Sequence, residues 1–155
     1  MKSGLFFDRI FFASDHKGFL LKEQLFNWLI KNPISNNFCS ILNCGPFSDE
    51  RVDFPEFAIF SLQSFSRSSC AILICDSGNG MNICANRFPH IKAAKCYSRQ
   101  EVEIARNHND INVLTLGSSY ISFEESKELI IAFLKSSFLK GKYAKRIDMI
   151  DSISF

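Results

Sequence analysis

The segment Ala71–Arg87, AILICDSGNGMNICANR, constrains the fold more than any other stretch of the chain. Ala71-Ile72-Leu73-Ile74 is an unbroken apolar run, the pattern of a strand covered on both faces inside a parallel sheet. It stops at Cys75, passes through Asp76-Ser77-Gly78-Asn79-Gly80, and continues with helix-compatible residues from Met81 to Asn86. A strand that enters a helix through a glycine-containing turn leaves backbone N–H groups free to hold an anion or an oxyanion. The same geometry sets a thiol at the carboxyl end of a central strand, where open α/β sheets carry their chemistry.

The remaining periodicities agree with that placement. Ile10–Ser14 reads as a first strand, Asp15-His16-Lys17-Gly18 as its turn, and Phe19–Lys31 as a helix. Leu21, Leu25 and Leu29 line one face of that helix, widened by Phe26 and Trp28, with Lys22, Glu23, Gln24 and Asn27 towards the other side. Pro33 and the Asn-rich stretch after it end the helix, and Cys39–Cys44 is the second strand. Gly45–Asp53 is a polar loop, and Pro55 opens a helix that runs to about Ser66. Cys70–Ile74 and Ile91–Cys96 are strands three and four. Ser98 and Glu101 form a capping-box pattern for a helix ending near Asn107, followed by a His108-Asn109-Asp110 loop. Val113–Leu116 is the fifth strand, Ser122–Ser136 an amphipathic helix, and Tyr143–Ile153 a terminal helix with Ile147, Ile150 and Ile153 apolar. Five alternations without linker or repeat predict a three-layer, doubly wound, Rossmann-like α/β sandwich over a five-stranded parallel sheet, with a C-terminal helix.

At 155 residues the chain suits one domain, 1–155, able to bury its core without covalent staples. The six cysteines contain no CxxC pair and several fall inside expected strands or helices, so they read as reduced thiols in a cytoplasmic protein. A net charge of +2 with mixed signs offers no electrostatic footprint for nucleic acid or for a membrane surface. Asp8 and Arg9 break the apolar start MKSGLFFDRIFFAS, which is too short for a secretory core, and no run approaches a membrane span.

Function therefore has to come from the loops. Asp15-His16, Asp49–Asp53, Cys75–Gly80 and His108-Asn109-Asp110 all fall between elements. The turns after strands one and three flank the usual crevice of such a sheet, so two of the three histidines and Cys75 are candidates for one pocket. Each also has a plainer explanation. Cys75 would serve as a small core hydrophobe, Asp15 as an N-cap, His108-Asn109-Asp110 as a helix stop, and Gly78-x-Gly80 as a steric turn. Other phosphate loops are excluded. A cysteine phosphatase loop requires a cation six positions after Cys75, where Met81 stands, and neither a Walker sequence nor a dinucleotide glycine fingerprint is present.

Taken in order, SDHKG, ERVDFP, LICDSGNGM, NICANRF, ARNHNDINVLTLG and KRID resemble the type B ribose-5-phosphate isomerases, a family that includes galactose-6-phosphate and allose-6-phosphate isomerases. The likeness runs from about Arg9 to Ile150. It implies an aldose–ketose isomerase of the non-oxidative pentose phosphate branch, acting on a sugar phosphate without metal or cofactor. It also implies a homodimer or dimer of dimers with sites at subunit boundaries. By the same resemblance, Cys75 is the general base that moves a proton between C2 and C1 through a cis-enediolate. Ser77 and the N–H groups from Asp76 through Gly78 and Asn79 to Gly80 hold the enediolate oxygen. His108 with Asp15 opens the furanose, Asn109 binds a hydroxyl, and His16, Lys142 and Arg146 grip the phosphate. A thiol of ordinary pKa about 8.5, lowered by a turn of N–H groups and nearby cations, suits that base.

Three positions depart from the family pattern. Asp76 stands where Gly is expected, Ser119 where Arg is common, and Lys142-Tyr143 where Arg-His is common. They leave open a 6-phosphohexose isomerase, or a phosphosugar-binding module without catalysis, beside the pentose enzyme.

Overall fold

The computed structural model describes residues 6–154; the first five residues of the apolar start and Phe155 lie outside them. The strands are β1 (Arg9–Ser14), β2 (Ser40–Asn43), β3 (Ser69–Cys75), β4 (Ala93–Lys95) and β5 (Val113–Gly117). The helices are α1 (Phe19–Lys31), α2 (Phe54–Leu62), α3 (Asn79–Ala85), α4 (Arg99–Asn109), α5 (Phe123–Lys135) and α6 (Lys142–Asp151). A 3₁₀ turn, Pro33–Asn37, follows α1. All neighbouring strands pair in parallel, in the order β2-β1-β3-β5-β4. The expected doubly wound parallel sheet is present.

Alternation along the strands builds two cores. Ile10, Phe12, Ile72, Ile74, Leu114 and Leu116 face Leu25 and Leu29 of α1, Val102 of α4, and Ile130 and Phe133 of α5. Phe11, Ala13, Leu73, Cys75 and Val113 face Ala58 and Leu62 of α2 and Met81 and Ala85 of α3. β3 is buried along its whole length, as its apolar run requires. The chain leaves β1 towards β2 and leaves β3 in the opposite direction, so a crevice opens between the carboxyl ends of β1 and β3.

Several boundaries differ from the sequence expectation, each for a local reason. β4 is three residues long, because Asn86 bonds both backbone groups of Ala93 on its outer edge. α2 stops at Leu62 rather than near Ser66, where Ser66 and Ser69 bond to each other instead. α4 runs through His108 and Asn109, which are helical and not loop. Asp110 ends it in the left-handed conformation (φ 50°), its N–H reaching Ala105 and Arg106. Lys22 is buried, not on a solvated face. Its ammonium donates to Asn43 Oδ1 (2.8 Å) and Pro46 O (2.5 Å) and pairs with Glu23 (2.8 Å), and burial lowers its pKa. No helix among the described residues is long and apolar enough to cross a membrane.

Candidate active site

The loops after β1 and β3 meet at the crevice. The Asp15 N–H donates to Ile74 O (3.1 Å), and one Asp15 carboxylate oxygen accepts the Gly18 N–H (2.9 Å). Asp15 is thus not the N-cap of α1, a position held by Gly18. Gly18 packs so closely on β3 that a Cβ there would lie 2.5 Å from Ile74 O. His16 is pinned to the polar loop before α2, its Nδ1 lying 3.1 Å from Val52 O and 3.3 Å from Val52 N.

Cys75 closes β3 with 4% of its surface exposed, and its Sγ accepts the Gly78 N–H at 3.2 Å. Gly78 adopts φ +80°, the conformation that turns this N–H back onto the sulfur. No other thiol among the described residues accepts such a hydrogen bond. Burial pushes Cys44 up to about 11 and Cys96 up to about 12, and raises Cys70 and Cys84. Ser77 Oγ accepts the Asn79 N–H (3.2 Å), which orders the turn in front of α3.

Asp76 and Ser119, two of the departures from the family pattern, contact each other. Ser119 Oγ donates to the Asp76 carboxylate, and the Ser119 N–H donates to Asp76 O (3.1 Å). The carboxylate is thereby held at the β5–α5 connection, where Lys17, Ser118 and Ser119 share a cleft of about 410 Å³ with it. Sequence reasoning missed Lys95. This residue ends β4 and places its ammonium 2.5 Å from Asn79 Oδ1, while Tyr97 beside it donates its hydroxyl to Ser77 O at 3.4 Å. The available signal was a lysine near the carboxyl end of the expected Ile91–Cys96 strand.

His108 and Asn109 belong to a second cluster. They form the last turn of α4, which approaches the amino end of β5. Gly117 pairs with Cys75 four residues beyond Val113, so about 13 Å of strand runs between the end of β5 that α4 approaches and the end beside Cys75. His108 stacks on Tyr143 of α6, with ring centres 4.2 Å apart, and Lys142 and Arg146 lie beside the same tyrosine. Asn109 borders a groove of about 770 Å³ lined by Ile111, Ile147, Ile150 and Ile153. Within one chain, then, Asp15, His16 and Cys75–Gly80 form one half of the expected site. His108, Asn109, Lys142 and Arg146 form another at the opposite end of the sheet.

Known proteins share this fold and much of the sequence. The ribose/galactose isomerase family model matches residues 10–150. Ribose-5-phosphate isomerase B of Escherichia coli (strain K12) is 31% identical over 147 residues, 94% of this chain and 95% of its own. The structure of ribose 5-phosphate isomerase B from Anaplasma phagocytophilum superposes with a TM-score of 0.86 at 33% identity, covering 96% of this chain and 99% of that one. Ribose-5-phosphate isomerase B from Mycoplasma genitalium, solved with bound ribulose-5-phosphate, gives 0.83 at 33% identity over 92% and 93%.

Proposed function

The chain belongs to the ribose/galactose isomerase family, and from that premise we propose that it interconverts ribose 5-phosphate and ribulose 5-phosphate. The observation that carries this reading is the Cys75 sulfur at the carboxyl end of β3, holding the Gly78 N–H, with Asp15 bonded to Ile74 one residue before it. A proton α to a carbonyl is weakly acidic, so its removal needs a base available near neutral pH and donors for the charge that develops on oxygen. Cys75 takes the proton from C2 and returns it to C1. Ser77 and the N–H groups of the Asp76–Gly80 turn that are not held by Cys75 Sγ or Ser77 Oγ face the enediolate oxygen.

The aldose is a furanose in solution and must open first. The anomeric hydroxyl gives its proton to the free oxygen of Asp15, the C1–O4 bond breaks, and O4 takes a proton from His108. Asn109 binds a hydroxyl, and His16, Lys142 and Arg146 hold the phosphate. Because His108 cannot reach Cys75 of its own chain, a second copy supplies the His108 cluster, making the protein a homodimer or a dimer of dimers with shared sites. The unpaired cysteines suit a reducing, cytoplasmic setting.

A coupled assay with ribose 5-phosphate, run beside galactose 6-phosphate and allose 6-phosphate, tests the substrate. Cys75→Ala is expected to lower turnover by several orders of magnitude while ribulose 5-phosphate still binds by calorimetry. Near-normal turnover in that variant refutes the assignment of the base.

A further inference from the structure

Tyr143 lies face to face with His108, ring centres 4.2 Å apart and planes within 9° of parallel. The Lys142 ammonium and the Arg146 guanidinium sit 5.2 Å and 5.9 Å from the centre of the same ring. Tyr143 thus touches all three groups assigned above to ring opening and phosphate binding in the far half of the site, yet the mechanism gives it no part. His16 has its ring held by the backbone of Val52, whereas neither nitrogen of His108 has a hydrogen-bond partner among the described residues. A half-exposed imidazole without such a partner turns about its side-chain bonds unless packing stops it.

We propose that Tyr143 is a positioning residue, whose stacked ring fixes the plane of His108 and leaves both imidazole nitrogens free for the sugar. Parallel packing of two flat rings resists rotation without consuming a donor or an acceptor, which a hydrogen bond would do. Attraction of the two cations to the electron-rich face of the phenol keeps the phosphate grip beside the imidazole. Phosphate and ring oxygen are then met by one preassembled unit carried on α4 and α6. This inference rests on His108 being the ring-opening group.

The two halves of the reaction can be measured apart. Ribulose 5-phosphate has its C5 oxygen esterified, cannot close a furanose, and exchanges its C1 proton with solvent through Cys75 alone. Turnover of ribose 5-phosphate also requires the ring to open. A loosened phosphate grip raises KM for both sugars alike, so the comparison is made at saturation: Tyr143→Leu is expected to reduce kcat for ribose 5-phosphate roughly tenfold, with C1 exchange of saturating ribulose 5-phosphate in D2O within about twofold of wild type. Tyr143→Phe, which keeps the stack, should restore both. Should the leucine variant not fold, Tyr143→Gln provides the same comparison. Unchanged turnover in the non-aromatic variants, or equal loss of turnover and exchange, overturns the proposal. The ring position is read separately from the His108 Hε1 resonance, which the tyrosine shifts upfield and the leucine variant releases; no difference between them also overturns it. A wild-type protein with no isomerase activity but a shifted resonance would refute the ring-opening role instead.

Discussion

The sulfur of Cys75 is distinguished from the other thiols by one backbone donor, and that donor exists because Gly78 takes a left-handed turn. Asp76, the neighbour whose charge would oppose an enediolate, is held by a hydrogen bond from Ser119. The two departures meet: Ser119 supplies the hydrogen bond that holds the carboxylate. Since Asp76 is exposed, its charge is screened by solvent. Asp76→Asn is therefore expected to change kcat/KM by less than about fivefold, measured in the same coupled assay. A tenfold gain would mean that the carboxylate faces the reacting carbon after all.

At the scale of elements, Arg106 joins three of them from inside. Its side chain is 2% exposed, lies over Phe7 and Phe133, and donates to Asp110 Oδ1, to Ile111 O and to Ser136 O. It thereby ties the end of α4, the lead into β5 and the end of α5, directly behind His108. Arg106→Met leaves the carbonyls of Ile111 and Ser136 without this donor and Asp110 with only Lys92, and should cost about 3 kcal/mol of stability, read from the urea midpoint. Lysine cannot reproduce the fork and should not rescue it. The same region marks where the sequence was legible and where it was not. Apolar runs gave the strands and most of the helices, and the Ser98–Glu101 capping box is formed as expected. His108 and Asn109 looked like loop residues because both are weak helix formers, but Arg106 and the Asp110 cap carry the helix through them. The Tyr143 stack, the Asp76–Ser119 pair and the burial of Lys22 join residues far apart in the chain, and local periodicity carries no trace of such contacts. Strand order was likewise invisible, but not the rim: His108 precedes β5, and in a parallel sheet the residues that lead into a strand lie at its amino end, away from Cys75.

For the whole molecule, the proposed site exists only between copies. Cys75→Ala and His108→Ala subunits should each be inactive as homodimers, yet regain activity when unfolded together and refolded as a mixture. Random pairing makes half of the dimers mixed, each with one intact site of two, so roughly a quarter of wild-type activity should return. Recovery near zero would assign both residues to a single subunit. The exposed Met149, Ile150 and Ile153 on and after α6, beside the groove that Asn109 borders, offer an apolar surface for that association. In most open parallel sheets only the rim at the strands' carboxyl ends answers to chemistry, and the opposite rim can drift so long as the fold survives. On this reading both rims are under functional constraint, which leaves the solvent-facing sides of the two helical layers as the territory where neutral change can accumulate.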